Sequence, residues 1–251
     1  MVYLMVEQQF AKYPWCQRTI RGIFEEVRKR RIHVQEVSEL PGGAEERSCV
    51  LLVGASEEWI NQTARGAGSL GLHPIVLSNR ETNSSGLSVS SVKMDIHSSI
   101  ELAVDYLRTL DRERLALFGV NPSASSDLWR ARRFGELTGR EGDVFFLGSS
   151  VNEIFDQFYE KIHRYDGVIC ASDYAAVSLV GRLREKNYAI PEKLYVVGYG
   201  DMFLSRLFRP SITSISDDYE SFGKAALAIC AMMEKNDAFS VVSVKLKSRL
   251  H

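Results

Sequence analysis

The sequence has 251 residues, 45% hydrophobic and 25% charged, which allows one large globular domain or two smaller ones. Its formal net charge of −1 excludes a general attraction to nucleic acid or to an anionic membrane surface. No apolar run approaches the roughly 20 residues that span a bilayer, so no membrane partner is expected.

Along the chain, eleven apolar, β-rich runs are predicted as strands. They are Val2–Val6, Ile32–Val37, Cys49–Val53, Pro74–Leu77, Val92–Met94, Leu115–Val120, Val144–Leu147, Val168–Ala171, Leu194–Val197, Ile212–Ile215 and Val241–Leu246. The first of them lacks the basic flank and cleavage site of a signal peptide. Apolar residues at i, i+3, i+4 and i+7 from Ile20, Ile100 and Phe222 predict helices between strands. This alternation predicts right-handed βαβ units on mostly parallel sheets.

Eleven strands are too many for one comfortable twisted open sheet. The predicted fold class is therefore α/β, with two doubly wound parallel-sheet lobes and a ligand cleft between them. The expected lobes are 1–92 plus 216–238 and 93–215 plus 239–251. The expected crossovers lie near 92–95, 213–217 and 237–240. An eight-stranded barrel is the structural competitor, but these strands and gaps are too uneven for eight regular units.

Several motifs point away from catalysis. Gly66, Gly68 and Gly71 match G-x-G-x-x-G, but a helical stretch precedes them and a strand follows, which fits a helix C-cap and loop rather than a dinucleotide site. No nucleophile or P-loop signature occurs, and the four cysteines and five histidines lack metal-ligand spacing. We therefore expect no enzyme, no cofactor and no metal, with most cysteines buried in a reducing compartment.

Two charged runs have structural interpretations. Arg28–Arg31 closes a predicted helix, where cations suit the negative end of the helix dipole. Asp217 and Asp218 directly precede a predicted helix and fit its N-cap and first turn. Neither run therefore calls for a nucleic-acid patch or a catalytic acid pair.

The turns after strands carry the candidate ligand-binding residues, because open parallel sheets bind ligands at the carboxyl ends of their strands. After the first strand, Tyr13 and Trp15 could stack on a flat ligand or pin the following helix, and the sequence leaves both interpretations open. After the strand at Leu115, the run around Arg130 and Arg132 predicts at least one arginine that points into the cleft.

Two acids follow later strands. Asp173 opens a helix after GVICAS and is either an N-cap or a ligand contact. Asp201 follows VVGYG, whose glycines predict a sharp turn. A carboxylate in such a turn can accept hydrogen bonds from two ligand hydroxyls.

Motifs over nearly the whole chain form one recognisable series. It comprises Tyr13-Pro14-Trp15, then Asp95, Ser99, Ala103, Tyr106 and Leu107, then an arginine before Phe134-Gly135, then Ser172-Asp173, Ile190-Pro191, Val197-Gly198-Tyr199-Gly200-Asp201, Pro210-Ser211-Ile212-Thr213 and Gly223. In order and spacing the series resembles the effector-binding core of the lac repressor–gal repressor (LacI/GalR) family, whose fold is similar to that of periplasmic sugar-binding proteins (type I).

Three departures from the family pattern bear on the ligand. Gly200 stands where the family usually has the first acid of an Asp-Asp pair, and Ser172 replaces the usual Asn. Ser78 and Asn79 end the HPIVL strand, where an Asp is common. The resemblance therefore implies an altered sugar site, with either a different ligand or a contact taken over by Asp201.

The resemblance implies the effector-sensing, dimerising core of a cytoplasmic transcription regulator. A small polar effector, a sugar or sugar derivative, would be sensed by lobe closure. Homodimers would bind operator DNA only through a helix-turn-helix domain that this sequence does not contain. The expected ligand contacts are Tyr13, Trp15, Ser78, Asn79, Arg130, Arg132, Asp173 and Asp201. The alternative is a secreted or periplasmic sugar-binding protein of a transport or chemoreception system.

Overall fold

The computed structural model describes residues 1–45, 47–79, 89–95, 97–148, 151–235 and 241–251. Within them, the strands are β1 Val2–Val6, β2 Val34–Glu36, β3 Cys49–Val53, β4 His73–Ser78, β5 Ser90–Met94, β6 Leu115–Val120, β7 Val144–Phe146, β8 Gly167–Cys170, β9 Tyr195–Tyr199, β10 Thr213–Ser216, β11 Ser243–Leu246 and β12 Arg249–Leu250. The α-helices are α1 Pro14–Arg30, α2 Glu57–Ser69, α3 Ser98–Thr109, α4 Ser125–Thr138, α5 Val151–Glu160, α6 Asp173–Glu185, α7 Phe203–Leu207 and α8 Ser221–Lys235.

The chain divides into two compact units. Unit 1 comprises Met1–Asp95 and Asp218–Leu246, and unit 2 comprises Ile96–Asp217 and Lys247–His251. The chain therefore passes between the units three times. The fold class is the predicted one, because each unit is built on one six-stranded, predominantly parallel sheet flanked by helices.

Unit 1 carries the sheet β11-β5-β4-β3-β1-β2, in which every neighbouring pair is parallel. Helices α1 and α8 pack on one face of this sheet and α2 packs on the other. Both faces are therefore covered, and all five residues of the central strand β3 are buried. This is why CVLLV reads as a continuous apolar run rather than an alternating one.

Two glycines allow α1 and α8 to pack at very short range. A Cβ added at Gly22 would lie 2.1 Å from the carbonyl oxygen of Glu220, and one at Gly223 would lie 2.3 Å from the carbonyl oxygen of Gly22. Beside this contact, Nε of Arg18 and Oε1 of Glu220 form an ion pair at 2.7 Å. The helices approach this closely because neither position has a side chain.

Unit 2 carries the sheet β12-β10-β9-β8-β6-β7, parallel except for the antiparallel pair β10–β12. Helices α5 and α6 pack on one face and α3 and α4 on the other. Strand β6, next to the edge strand β7, is buried along its whole length. The core of this unit therefore consists of two apolar layers separated by the sheet.

The end of the chain differs from the sequence-based prediction in two ways. The expected crossover near 237–240 lies outside the residues that the structure describes. The strand at Val241–Leu246 was assigned to the C-terminal lobe, but β11 pairs in parallel with β5 in the sheet of unit 1, from Ser243 opposite Ser91 onward. The chain thus enters unit 2 again only after Leu246 and adds β12, which the sequence analysis did not predict.

The structure tests three local predictions, for the glycine-rich stretch, the basic run and the adjacent acid pair. The G-x-G-x-x-G stretch is confirmed as a helix end, because α2 runs to Ser69 and Gly71 has a φ of +73, in the left-handed region that favours glycine. The basic run from Arg28 closes α1 as predicted. The assignment of Asp217 and Asp218 as N-cap and first turn is wrong, because α8 begins only at Ser221.

Candidate functional site

The strand order of each unit defines where a ligand is expected. In unit 1, β1 lies between β2 and β3, so the strand order reverses between β1 and β3. In unit 2, β6 lies between β7 and β8, so the order reverses between β6 and β8. Open α/β sheets bind ligands at the carboxyl ends of the strands beside such a switch point. Each unit therefore has one expected binding edge.

A pocket lies at this edge of unit 2. It is bordered by the carboxyl ends of β6, β8 and β9 and by side chains of α3 and α4, among them Ser99, Val120, Asp127, Arg130, Ala171 and Tyr199. Its lining combines apolar walls with a few polar groups, as the linings of small-molecule sites do. We therefore take it as the candidate functional site.

Arg130 is the central polar group of this pocket. Its side chain is 15% exposed and forms a 2.8 Å ion pair with Asp127 on the same helix. Its Nε donates to the Ser99 hydroxyl at 3.2 Å. Its guanidinium carbon lies 4.0 Å from the centroid of the Tyr199 ring, a cation–π contact. Arg130 is therefore held from three sides in one orientation.

Arg132 occupies a different environment. Its side chain is 70% exposed and pairs with Glu136 one helical turn away at 3.2 Å. It does not line the pocket. Of the two arginines named as ligand contacts, the structure places Arg130 in the pocket and Arg132 at the surface, because residues two apart on a helix point to different sides.

Tyr199 connects the pocket to the places where the chain enters and leaves unit 2. Its hydroxyl donates to Asp217, whose other carboxylate oxygen accepts from Ser248 at 2.7 Å. The Ser248 amide donates to the Ser98 hydroxyl at 2.9 Å. Burial raises the pKa of Tyr199 above its ordinary value of 10, so its hydroxyl is a neutral donor. Asp217 is thus the centre of a buried network rather than a helix cap.

The two strand-end acids are engaged within unit 2. Asp173 has no exposed surface, and its carboxylate accepts from the Ser214 hydroxyl at 2.7 Å and from the Met202 amide at 2.6 Å. Asp201 accepts from Arg206 through both carboxylate oxygens, and the Nε of Arg206 donates at 2.9 Å. The N-cap of α6 is Ser172, whose hydroxyl accepts from the amide of Ala175, and not Asp173.

At the corresponding edge of unit 1, the aromatic residues after β1 are divided between core and surface. Trp15 is buried, with its ring 6.0 Å from that of Phe10 and 6.4 Å from that of Tyr219, so it pins the start of α1 to the sheet. Tyr13 remains 53% exposed and contacts Phe10 edge-on at 5.5 Å. Of this pair, Tyr13 therefore has the surface that could meet a ligand.

The end of β4 places Ser78 and Asn79 at the same edge. Ser78 is fully buried. Asn79 is partly exposed, yet its side-chain oxygen is buried and has no hydrogen-bond partner among the residues that the structure describes. A buried acceptor without a donor is costly, and a ligand hydroxyl or a solvent molecule would relieve that cost.

The sequence analysis did not identify Glu7, which directly follows β1 at this edge of unit 1. Its carboxylate is 3% exposed and accepts from the amides of Ala55 and Ser56, at 2.9 and 3.0 Å, and from the Ser56 hydroxyl and Gln9. Burial raises the pKa of Glu7, but these hydrogen bonds together outweigh burial, so the pKa lies below its ordinary value of 4.5. Only its place one residue after a strand hinted at a role.

Among the residues that the structure describes, no three His, Cys, Asp or Glu side chains lie together as metal ligands would. Over the same residues, no helix is long and apolar enough to cross a membrane. The candidate site of unit 2 is thus defined by the arginine, tyrosine and carboxylate side chains of its pocket, and unit 1 has a separate polar edge.

Comparison with known proteins agrees with this architecture. The family model described as periplasmic binding protein-like domain matches residues 104–250, more than half of the chain. The chain therefore belongs to the periplasmic binding protein-like domain family. The curated relatives that it matches in part are transcription regulators of the helix-turn-helix (HTH) type.

One such relative is the HTH-type transcriptional regulator RegA of Clostridium saccharobutylicum, 32% identical over 90 residues, which are 36% of this chain and 24% of that protein. The chain thus spans about a quarter of the length of the curated relatives it matches. Among solved structures, the CelR–cellobiose complex aligns with all of this chain and 82% of its own at a TM-score of 0.67 and 19% identity. A ribose-bound LacI family regulator from Enterococcus faecium aligns with all of this chain and 97% of its own at a TM-score of 0.66 and 16% identity.

Proposed function

We propose that this chain senses a small polar effector, a sugar or sugar derivative, as the core of a cytoplasmic LacI/GalR-type transcription regulator. It would do so without catalysing a reaction. The observation that carries the proposal is the pocket at the carboxyl edge of unit 2, where Arg130 is fixed over the ring of Tyr199. Operator DNA would be bound through a separate DNA-binding domain outside this sequence.

The chemistry of the pocket supports a polyol ligand. A guanidinium carries five N–H donors in one plane and suits the hydroxyl and ring oxygens of a sugar. Exposed Tyr13 at the edge of unit 1 offers an aromatic face, and Asn79 offers a buried acceptor. The neighbours solved with cellobiose and ribose are consistent with a sugar, although they share only the fold with this chain.

The proposed mechanism is lobe closure. A ligand that touches residues of both units would bind one arrangement of the units better than another, and only this differential affinity can shift their equilibrium. The network from Tyr199 through Asp217 to Ser248 and Ser98 would pass the state of the pocket to the chain segments that join the units. In a dimer, the shift would reorient the attached DNA-binding domains.

A thermal-shift screen over monosaccharides, disaccharides and nucleosides tests the proposal. A ligand at 100 times its Kd stabilises the folded state by about 2.7 kcal/mol, which raises the Tm of a chain of this size by about 5–10 °C. We expect at least one sugar to do so. A screen in which no sugar raises the Tm, or in which only nucleosides do, contradicts the proposed ligand class.

The proposed homodimer has a candidate surface on α6 and α7. Tyr174 at the start of α6 is 63% exposed, and Phe203 and Leu207 on α7 are 72% and 52% exposed. The Met202 amide donates to Asp173 at 2.6 Å, which brings the starts of the two helices together. Exposed apolar side chains grouped in this way are typical of protein interfaces.

Sedimentation of the Leu207→Glu variant tests this surface. The wild-type chain is expected to sediment as a dimer at micromolar concentration, and the variant as a monomer, because the new carboxylate would be buried without a partner. Leu110→Glu is the matched control, since Leu110 is 37% exposed at the end of α3 and lies outside this surface. A monomeric wild type, or a variant that remains dimeric, contradicts the proposal.

A further inference from the structure

Unit 2 has a second pocket, at the opposite edge of its sheet from the candidate effector pocket. It has a cavity volume of about 100 Å³ and lies where β9 and β10 begin, at Tyr195 and Thr213. The candidate effector pocket lies where β9 ends, at Tyr199. Four residue steps along a strand separate these ends by about 13 Å, so the two pockets are distinct.

The second pocket has an apolar interior. Val180, Leu194, Val196 and Ile212 line it, and each is less than 9% exposed. The hydroxyl of Tyr195 is already hydrogen-bonded to those of Thr213 and Tyr106 at 3.0 Å, so it is satisfied within the protein. The interior therefore offers surface for an apolar group rather than donors for a sugar.

A single charged residue, Arg184, belongs to the described lining of this pocket. Its Nη2 donates to the carbonyl oxygen of Arg209 at 2.8 Å, and its guanidinium carbon lies 5.1 Å from the Phe208 ring centroid. These two contacts fix the guanidinium at the rim. They involve only one of its three nitrogens as a donor, which leaves Nε and Nη1 for a ligand anion.

Two more arginines make the rim electropositive. Arg209 donates through Nη1 to the carbonyl oxygens of Arg206 and Phe208, at 3.0 and 2.9 Å, beside Arg184. Arg112 donates to the carbonyl oxygens of Pro191 and Glu192, at 3.4 and 3.1 Å, and so braces the wall that Pro191 forms. The Nε of Arg112 is buried and has no hydrogen-bond partner within the described part of the chain. Charge at this rim favours an anion.

From this lining we infer that the second pocket binds a small carboxylate with an apolar body. The apolar group would occupy the interior between β9, β10 and α6, and the carboxylate would accept a charge-assisted hydrogen bond from the guanidinium of Arg184. This inference is independent of the proposed sugar site, because the two pockets share no lining residue.

Titration with 3-phenylpropanoate, followed by calorimetry and by the NMR signals of Ile212 and Val180, tests the inference on the whole chain. We expect saturable binding that shifts those signals. Acetate, which lacks the apolar body, and 3-phenylpropanamide, which lacks the charge, are each expected to bind at least tenfold more weakly.

Arg184→Gln is expected to weaken 3-phenylpropanoate binding at least tenfold. The matched control is Arg182→Gln, because Arg182 lies on the same helix but stacks on Phe155 at 4.9 Å and does not line the pocket. Arg130→Ala, in the other pocket, is expected to leave binding unchanged. The inference is overturned if the acid and the amide bind equally, if Arg184→Gln binds as the wild type does, or if 3-phenylpropanoate does not bind.

Discussion

The carboxylate of Asp173 joins four segments of unit 2. It opens α6, accepts from Ser214 on β10 and from the Met202 amide before α7, and lies against Gly198 on β9. Hydrogen bonds to a buried charge contribute more than neutral ones do, roughly 1.5–3 kcal/mol. Asp173 is therefore positioned to hold the carboxyl edge of the sheet together beside the pocket.

Replacing Gly198 by Ala tests this role. The added Cβ would lie 2.2 Å from Oδ1 of Asp173, so the carboxylate would have to move from its donors. We expect the free energy of unfolding to fall by about 1–3 kcal/mol, as overpacking does in cores, measured by urea denaturation. Gly181→Ala in α6 is the control, since its Cβ would meet no atom within 4 Å and is expected to be neutral or stabilising. Equal effects of the two substitutions would contradict this account.

Glu7 should make stability depend on acid pH. Because its folded-state pKa lies below 4.5, it contributes stability that is present above that pH and is lost as the pH falls through the folded-state pKa. Glu7→Gln is expected to lower the free energy of unfolding at pH 7 by about 1.5–3 kcal/mol, with the difference from wild type shrinking below pH 4.5. Unfolding curves from pH 7 to pH 3 measure this.

The control for that series is Glu36→Gln, an exposed residue at the end of β2. Its stability is expected to follow that of the wild type at every pH. A constant offset between wild type and Glu7→Gln across the whole pH range would show that the carboxylate charge is not what stabilises this edge.

At the scale of elements, the contact between α1 and α8 is the tightest helix packing in unit 1. It exists because Gly22 lies against the backbone of Glu220, just before α8, and Gly223 in α8 lies against the backbone of Gly22. Backbone cannot move aside as a flexible side chain can. The close contact therefore ties the N-terminal part of the chain to the segment that returns after β10.

Gly223→Ala is expected to lower the free energy of unfolding by about 1–3 kcal/mol or more, because the helices must separate to admit the methyl group. Thermal unfolding should show a Tm lower by about 2–4 °C for each kcal/mol. Gly68→Ala in α2 is the matched helical control, since no atom lies within 4 Å of its added Cβ, and it should raise stability by about 0.5–1 kcal/mol. An unchanged Tm for Gly223→Ala would refute the tight contact.

Most elements could be predicted from the sequence because apolar periodicity is a local property. Each of the eleven predicted runs overlaps a strand, and the three periodic stretches are α1, α3 and α8. Pairing is not local: β11 joins β5 across about 150 residues, and nothing in VVSVKL specifies that partner. The two-residue strand β12 is too short for any periodic signal.

Within the site, sequence reasoning identified residue types and positions after strands but not their partners. It singled out Arg130 together with Arg132, and only the helix geometry separates the buried one from the exposed one. It named Asp173 as a possible contact, whereas the donors that engage it come from Met202 and Ser214, about 30 to 40 residues further along the chain. Gly200 stands where the family pattern usually has an aspartate, and its backbone explains this difference, because its φ of +122 favours glycine.

At the scale of the whole molecule, the three chain passages converge on one buried network in unit 2. Ser98 follows the first passage, Asp217 precedes the second and Ser248 follows the third, and hydrogen bonds join all three residues. Tyr199 links this network to the pocket and contacts Arg130. A ligand that engages Arg130 would therefore act next to every connection between the units.

The central claim is that Arg130 binds the effector, and isothermal titration tests it most directly. The sugar that gives the largest thermal shift would be titrated into the wild type, Arg130→Ala and Arg132→Ala. We predict that Arg130→Ala binds at least tenfold more weakly, while Arg132→Ala, changed two residues away at an exposed position, keeps the wild-type Kd. An unchanged Kd in Arg130→Ala, or an equal loss in both variants, would contradict the account.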